Sequence, residues 1–227
     1  MIIATWNSCG GTVDSRSTEL QSFSSFDILA LQEVQKPENC LEGVYWNGAS
    51  ELKGVAVCTQ YPSQQVVFDD SITPFLAVRI LESPLGPFNL LAVCAKRQPS
   101  YCKDLIRTFD QCEDFLKESP CVILGDFNAT ARLQNTTKQF DELQDHLHRK
   151  LKLVSAYHQF KKQTFGMESF TTLYFRWGTA GCFHIDYVYI PQNWISYLNS
   201  VTIPGFKTLT TSDHRPVVVE LTSKDFC

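Results

Sequence analysis

The sequence predicts a layered α+β fold in which two β-sheets pack together, and three observations support this prediction. Short apolar runs of strand length recur along the whole chain. Only two segments repeat apolar residues at the spacing of a helix. Apolar residues make up 44% of the 227 residues and charged residues 19%, a composition typical of a folded globular protein. Many strands with few helices favour packed sheets covered by helices over a helical bundle.

The apolar runs locate eight strand candidates and two helical segments. The strand candidates are residues 2–6, 28–31, 55–58, 75–81, 88–94, 121–124, 185–190 and 216–221. The helical spacing is carried by Leu105, Ile106, Phe109, Cys112 and Leu116, and then by Phe140, Leu143, Leu147 and Leu151. No Pro-, Gly- or Ser-rich stretch or charge block separates these segments, so we expect residues 1–227 to form a single domain.

Charge and targeting signals limit the partners of the chain. The chain has 20 basic and 24 acidic residues, a formal net charge of −4. This balance disfavours a globally basic nucleic-acid binder and leaves room for a local cationic groove. No signal peptide is recognisable, and no apolar run approaches the roughly 18 to 20 residues that span a bilayer. We therefore expect a soluble, cytoplasmic protein that makes no membrane contact.

The nine cysteines do not form a recognisable framework. Their number is odd, no export signal is visible and no CxxC pair occurs, so disulfides and a zinc cluster are both disfavoured. We expect most of the cysteines to be small core residues.

Polar residues that can carry chemistry cluster at the ends of the strand candidates. A strand holds the side chain just beyond its end in a fixed place, so such groups can converge on one point. A metal ion would relieve the repulsion between converging carboxylates. These residues are Asn7, Glu33, Asp126, Asn128, Asp186, Asp213 and His214.

Residues 125–128 read Gly-Asp-Phe-Asn and follow an apolar run. Asp126 offers a carboxylate that can deprotonate water, and Asn128 offers an amide that can donate to a phosphate oxygen. The alternative is a strand that ends in an ordinary Asp/Asn turn. Glu33 is a hard oxygen ligand for Mg²⁺ or Mn²⁺, or else a solvated strand end. Asn7 taken alone fits a turn-capping residue.

Asp213 and His214 are adjacent, immediately before the apolar run that starts at Pro216. His214 can stabilise phosphate charge or donate a proton, while Asp213 contacts a metal or holds the arrangement. The alternative is a surface turn before a Pro-started edge strand. Asp186 is placed to orient an imidazole, as carboxylates behind functional histidines commonly do, or else is a turn residue.

Taken in order, five short motifs make the chain resemble the endonuclease/exonuclease/phosphatase superfamily from end to end. They are Thr5-Trp6-Asn7, Leu31-Gln32-Glu33, Gly125-Asp126-Phe127-Asn128, His184-Ile185-Asp186-Tyr187 and Ser212-Asp213-His214-Arg215-Pro216. The set is highly specific, and residues 153–160, followed by residues 170–174, are similar to compact bacterial or phage-type members. The resemblance implies a deoxyribonuclease I-like, four-layer α-β-β-α sandwich with its site at one end of the sheets.

The resemblance also implies the catalytic groups. Asp126 is similar to the family's water-activating residue and Asn128 to a phosphate contact. His214 would meet the scissile phosphate, with Asp186 orienting its ring. An anionic phosphodiester repels hydroxide, so an imidazolium and a cation must offset charge as the phosphorus is attacked.

The same resemblance implies a divalent cation, Mg²⁺ or Mn²⁺. Glu33 is similar to the principal metal ligand of the family, Asn7 would lie beside it, and Asp213 would lie near the metal.

Two positions depart from the family's pattern. Cys94 stands where many relatives carry a Tyr or His, and a thiol is a poor phosphate donor. Lys96 or Arg97 supplies the missing contact, or both are solvated strand ends. His184 stands where an Arg is more common, and it either makes the site pH-sensitive or has a structural role.

A further group of residues is predicted to line a substrate groove and to stack on exposed bases. The group contains Tyr157, His158, Tyr174, Arg176 and Trp177. For its aromatic members the alternative is packing in the core.

Three functions fit these residues. The first is a divalent-metal-dependent nuclease that hydrolyses DNA or RNA phosphodiesters by in-line attack of activated water. The second is a phosphatase or phosphodiesterase acting on a small ester such as a nucleotide, a cyclic dinucleotide or an inositol phosphate. The third is a catalytically silent binding module. The complete motif set favours the nuclease, with nucleic acid as its substrate.

Overall fold

A computed structural model of the chain describes residues 1–39, 41–68, 74–97, 99–133, 137–179 and 181–223. The strands within these ranges are β1 (Ile2–Asn7), β2 (Ile28–Val34), β3 (Val44–Ser50), β4 (Lys53–Thr59), β5 (Ser63–Val66), β6 (Phe75–Ile80), β7 (Phe88–Cys94), β8 (Cys121–Asp126), β9 (Leu153–Ser155), β10 (Leu173–Tyr174), β11 (Cys182–Phe183), β12 (Asp186–Pro191), β13 (Leu198–Thr202) and β14 (Val217–Leu221). The α-helices are α1 (Val13–Gln21), α2 (Tyr101–Gln111), α3 (Glu113–Glu118), α4 (Thr137–Asp145) and α5 (Ala156–Lys161).

The longer strands form two six-stranded mixed sheets. The first sheet has the order β13-β14-β1-β2-β4-β3, and the second has the order β5-β6-β7-β8-β12-β9. Strands β1 and β2 are parallel, as are β7 and β8, and the other neighbours within these sheets are antiparallel. Strands β10 and β11 form a separate antiparallel hairpin.

The main core lies between the two sheets. Alternate residues of a strand face opposite sides of its sheet, so Ile3 of β1 enters this core whereas Ala4 and Trp6 face outward. Branched aliphatic residues of β7 and β8, such as Leu90 and Val122, pack on it from the second sheet. Burial of each such side chain contributes about 1.5 to 3 kcal/mol.

Helices cover the outer face of each sheet. Val13 and Leu20 of α1 pack on the outer face of the first sheet, and α2, α3 and α4 cover the second sheet through residues that include Leu105, Phe115 and Leu143. The predicted four-layer α-β-β-α sandwich is therefore confirmed.

The eight predicted strands are present as β1, β2, β4, β6, β7, β8, β12 and β14. Both predicted helical segments are present, but neither is one continuous α-helix. The first breaks at Cys112, whose φ and ψ of −98° and 12° end α2 before α3 begins. The second passes from α4 into a π-helical turn at His146–Lys150.

No helix within the described ranges is long and apolar enough to cross a membrane. The cysteines in those ranges are free thiols, namely Cys9, Cys58, Cys94, Cys102, Cys112, Cys121 and Cys182. Cys40 and Cys227 lie outside the described residues.

Candidate active site

The ends of β1, β8 and β12 bring three motif residues together. Asn7 is the last residue of β1 and Asp126 is the last residue of β8. Strand β12 runs antiparallel to β8 with Asp186 opposite Asp126, so the start of β12 lies at the same edge. The Asn7 amide donates to Asp126 Oδ2 at 2.9 Å. This hydrogen bond joins the two sheets at the site.

Asp126 is a buried carboxylate held by amide donors. Its Oδ1 accepts from the Asn128 backbone N–H at 2.8 Å, and its Oδ2 accepts from the Asn128 side chain at 2.8 Å. Burial and then repulsion from Asp186 raise the pKa of Asp126, against the opposing effects of His214 and the amide donors. A carboxylate with a raised pKa is a better base toward water than an exposed one.

Asp186 and His214 form a buried pair. His214 Nδ1 donates to Asp186 Oδ2 at 2.9 Å. Burial disfavours protonation of His214, but attraction from Asp186 outweighs it and raises the pKa of the imidazole to about 9. The ring is therefore protonated at neutral pH. Ligand atoms of Asp126, Asp186 and His214 lie within 4.8 Å of one another, so the imidazolium lies close to the buried Asp126 carboxylate.

Three side chains that the sequence analysis did not assign hold the His214 backbone. Ser212 Oγ donates to the Asn7 carbonyl at 2.7 Å and accepts from the His214 N–H at 3.0 Å. The fully buried Arg215 donates to the carbonyl oxygens of Ser212 and His214, each at 2.7 Å. Trp6 Nε1 donates to the His214 carbonyl at 3.2 Å. Ser212 and Arg215 flank the Asp-His pair, and that adjacency is the signal that could have identified them.

Glu33 reaches the site from a β-bulge. The pairing of β2 with β4 shifts between Gln32 and Val34, which leaves Glu33 as the extra residue. Its φ is +57°, and a left-handed residue at a bulge redirects its side chain relative to the sheet. The Glu33 carboxylate forms an ion pair with Lys53 at 2.6 Å.

Asp213 lies close enough to Cys9 for its charge to act on the Cys9 thiol. Burial, followed by the charges of Asp213 and Glu33, raises the pKa of the Cys9 thiol. The Cys9 backbone N–H also donates to Asn7 Oδ1 at 3.1 Å. Cys9 is therefore hydrogen-bonded to Asn7 and lies within range of the charges of Glu33 and Asp213.

The donor chemistry of the site fits a divalent cation. The three predicted ligands offer the hard oxygen atoms that Mg²⁺ and Mn²⁺ prefer. Asp126 and Asp186 repel each other in a buried site, and a nearby cation would relieve that repulsion. Asp126, Asp186 and His214 also form a compact group of possible ligands. However, Asp186 already accepts from His214 Nδ1, and Asp126 accepts from amide groups.

A cleft of about 520 Å³ opens beside these groups. Cys94 lies in its lining and is paired with Asp126 across β7 and β8. Burial, followed by the charge of Asp126, raises the pKa of the Cys94 thiol well above its usual range, so this thiol is neutral. The cationic residues that line the cleft are Lys53, Lys96 and Arg97. Lys53 is not predicted from the sequence, because an exposed lysine at the start of a strand carries no distinguishing signal.

Arg176 lies on an exposed loop beside the C-terminal motif. The Tyr174 N–H donates to the Asp213 carbonyl at 2.8 Å, which joins the β10–β11 hairpin to that motif. Arg176 has a φ of +54°, and its neighbours Phe175 and Trp177 are 51% and 46% exposed. The Arg176 guanidinium lies over the Phe175 ring, 5.2 Å from the ring centroid. The loop therefore presents a cation and exposed aromatic rings to solvent.

The prediction that Tyr157 and His158 line the substrate groove is wrong. Both residues lie in α5, and their exposures are 1% and 6%. Tyr157 packs in the core between the sheets and donates its hydroxyl to Gln163 at 2.8 Å. His158 Nε2 lies 3.1 Å from the Glu168 carboxylate. Because α5 directs both side chains inward, neither can stack on an exposed base.

His184 is also buried, and its Nδ1 donates to the Phe170 carbonyl at 3.0 Å. Burial lowers the pKa of its imidazole to about 4. His184 is therefore neutral at physiological pH, as expected for a residue that packs and hydrogen-bonds.

Comparison with known sequences identifies one family. A sequence model of the Endonuclease/Exonuclease/phosphatase family matches residues 4–214, a stretch that contains all of the predicted site residues. No curated protein sequence matches the chain.

Solved structures share the fold at low sequence identity. The 3′ phosphatase NExo from Neisseria, bound to a product DNA hairpin, is 21% identical with a TM-score of 0.70, and the match covers 98% of this chain and 100% of that chain. The 3′–5′ exonuclease NExo from Neisseria meningitidis is 19% identical with a TM-score of 0.69 over the same shares. An AP endonuclease from Archaeoglobus fulgidus is 15% identical with a TM-score of 0.69, again over 98% and 100%.

Proposed function

Since the chain belongs to the endonuclease/exonuclease/phosphatase family, whose members hydrolyse phosphate esters, we propose that it is a divalent-metal-dependent nuclease acting on the phosphodiester bonds of DNA or RNA. The observation that carries the proposal is the convergence of Asp126, Asp186 and His214 within 4.8 Å. Together these residues provide a carboxylate base and a cationic imidazolium within one buried site.

The protein's own residues account for proton transfer and charge stabilisation. Asp126, with its raised pKa, accepts a proton from the attacking water. His214, kept protonated by Asp186, faces the phosphate and stabilises the negative charge that develops on its oxygens. Asn128, on a left-handed turn beside Asp126, donates to a non-bridging oxygen. Direct attack by water needs no covalent intermediate.

The cation would be held by Glu33, Asn7 and Asp213. Bound there, Mg²⁺ or Mn²⁺ would supply Lewis-acid stabilisation of the phosphate and favour deprotonation of water. We prefer these ligands to the Asp126, Asp186 and His214 group, because His214 Nδ1 is already committed to Asp186.

Two features favour a nucleic-acid substrate. Lys96 and Arg97 line the cleft and can contact backbone phosphates. Arg176 is flanked in sequence by the exposed Phe175 and Trp177, and exposed aromatic rings beside a cation are suited to stacking on unpaired bases. Similar structures include a 3′ phosphatase bound to a DNA hairpin, a 3′–5′ exonuclease and an AP endonuclease, and these support the same assignment.

A small phosphate ester is the second candidate substrate. The cleft of about 520 Å³ is large enough for a nucleotide-sized molecule, and the chain carries a net charge of −4. A small ester would use the cleft and leave the aromatic loop without a role.

A substrate panel separates these candidates. Labelled single- and double-stranded DNA and RNA would be compared with nucleotides, cyclic dinucleotides and inositol phosphates, in Mg²⁺, Mn²⁺ or EDTA. We expect metal-dependent cleavage of a polymer and little release of phosphate from the small esters. Hydrolysis confined to the small esters would move the function to the second candidate. Failure to hydrolyse any member would contradict a catalytic role and favour the silent binding module.

A further inference from the structure

Glu33, a proposed ligand of the cation, forms an ion pair with Lys53. Lys53 Nζ lies 2.6 Å from Glu33 Oε2, and both residues line the cleft. The side chains are 65% and 32% exposed. An ion pair this accessible to water contributes little net stability, so its partners can separate at small cost.

The backbone around the pair is tightly placed. Lys53 begins β4, directly before Gly54, and Gly54 is opposite Val34 at the bulge that carries Glu33. A Cβ on Gly54 would lie 2.5 Å from the Trp46 ring, so only glycine lets Trp46 pack over this point. The register of the sheet, and not chance surface contact, therefore sets the Lys53 backbone beside Glu33.

We propose that Lys53 exchanges partners during function, holding the Glu33 carboxylate in the metal-free protein and contacting the substrate phosphate when a divalent cation is bound at Glu33. This inference rests on the proposed function. A lysine has three donors on a flexible four-carbon stem, so it can turn from one anion to another without backbone movement. Repulsion between the ammonium and the cation favours that turn.

Lys53 supplies a charged donor to the wall of the cleft that the first sheet forms. Cys94 lies in its lining, and a thiol is a weak hydrogen-bond donor. Lys53 reaches the cleft from the first sheet, whereas Lys96 and Arg97 follow β7 of the second sheet. A phosphate bound between Lys53 and these residues would therefore be contacted from both sheets.

The exchange predicts opposite effects of one substitution on two ligands. Lys53→Met removes the competitor for Glu33, so calorimetric titration of the metal-free protein should give a Kd for Mg²⁺ about three- to tenfold lower than that of wild type. The same variant loses a phosphate contact, so titration with inorganic phosphate at saturating Mg²⁺ should give a Kd about three- to tenfold higher.

Three further variants isolate the contact. Lys117→Met removes an equally charged lysine from an exposed ion pair on α3 and should change neither Kd. Lys53→Arg keeps the charge and should largely restore phosphate binding. In a Glu33→Gln background, Lys53→Met should no longer tighten Mg²⁺ binding, because the competition has been removed. Thermal melting of each variant would confirm that it is folded.

Unchanged Mg²⁺ affinity in Lys53→Met would overturn the proposal, as would unchanged phosphate affinity or a wild-type protein that binds no Mg²⁺. Neither titration involves hydrolysis. A protein that cleaves no polymer can therefore still show the exchange, and an active nuclease can still fail it.

Discussion

Asp126, Asp186 and His214 place two carboxylates and one imidazole in a space with almost no solvent. Burial alone would favour the neutral form of all three. His214 offsets the charge of Asp186 through their hydrogen bond, and burial followed by repulsion from Asp186 raises the pKa of Asp126. The residue whose charge is less compensated is the one suited to accept a proton.

The lowered pKa of His184 leads us to expect that the stability of the fold falls in acid. Its folded-state pKa is about 4, whereas an unfolded histidine titrates near 6.5. Acid therefore protonates the unfolded chain first. The stability that neutral His184 contributes is present above about pH 6.5 and is lost as the pH falls toward 4. Between pH 8 and pH 5 the expected loss from this one group is about 2 kcal/mol.

Urea unfolding at both pH values tests the role of His184. His184→Gln cannot titrate, so its unfolding free energy should fall by less than that of wild type between pH 8 and pH 5. The exposed His148 provides a matched control, because His148→Gln should keep the wild-type pH dependence. An equal loss of stability in wild type and His184→Gln would show that other groups cause it.

If Glu33 is a ligand of the cation, then Mg²⁺ should stabilise the folded protein through Glu33. A ligand that binds only the folded state raises the unfolding free energy by about 1.4 kcal/mol at ten times its Kd. Mg²⁺ should therefore raise the melting temperature of wild type, and Glu33→Gln should lose most of that increase. The control is Glu51→Gln, which removes an exposed glutamate paired with Lys36 outside the cleft. If Mg²⁺ stabilises Glu33→Gln as much as wild type, the cation is held elsewhere.

At the scale of elements, a glycine in β8 lets the strand pack closely against β7 just before Asp126. Gly125 has a φ of +136°, and a Cβ there would lie 2.0 Å from the Val93 carbonyl oxygen on the neighbouring β7. Gly125→Ala should lower the unfolding free energy by about 3 kcal/mol, because backbone strain and a clash with a fixed strand combine.

Gly205→Ala is the control for that substitution, since no atom lies within 4 Å of its added Cβ. Chemical unfolding of the two variants gives the comparison, and the control should stay within about 0.5 kcal/mol of wild type. A Gly125→Ala protein as stable as the control would mean that β7 and β8 can separate freely at this point.

The elements predicted from sequence are those with a continuous apolar run. Strands β1, β7 and β8 are almost wholly buried, so their composition alone identifies them. Three of the missed strands, β3, β5 and β13, carry exposed or half-exposed residues, and pairing with a neighbouring strand holds them in place. The other three, β9, β10 and β11, have only two or three residues each, too few to form a recognisable run. Helix α1 was missed because only Val13 and Leu20 of its residues are buried, which is too few to show helical spacing.

Several site residues were predictable because they lie at the ends of the strands that the apolar runs identify. The order of the motifs identified residues whose strands end at one edge, and the structure places Asn7, Asp126 and Asp186 together there. Sequence spacing did not reveal which way α5 faces, so Tyr157 and His158 were assigned to the surface instead of the core.

At the scale of the whole molecule, the site exists only where the two sheets meet. The first sheet and its adjoining loop supply Asn7, Glu33 and His214, and the second sheet supplies Asp126 and Asp186. The Asn7 contact with Asp126 spans 119 residues of sequence. Long-range pairing of this kind cannot be read from local patterns, which is why the residue types were predictable and their hydrogen-bond partners were not.

The role of Asp126 as the base of a metal-dependent nuclease is tested by comparing cleavage of labelled nucleic acid by wild type, Asp126→Asn and Asp110→Asn in Mg²⁺. We expect Asp126→Asn to lower kcat by about 10² to 10⁴, because the base is lost. Asp110→Asn alters an exposed carboxylate on α2 and should keep the wild-type rate. Metal-dependent cleavage by Asp126→Asn at the wild-type rate would contradict the assignment of Asp126 as the group that activates water.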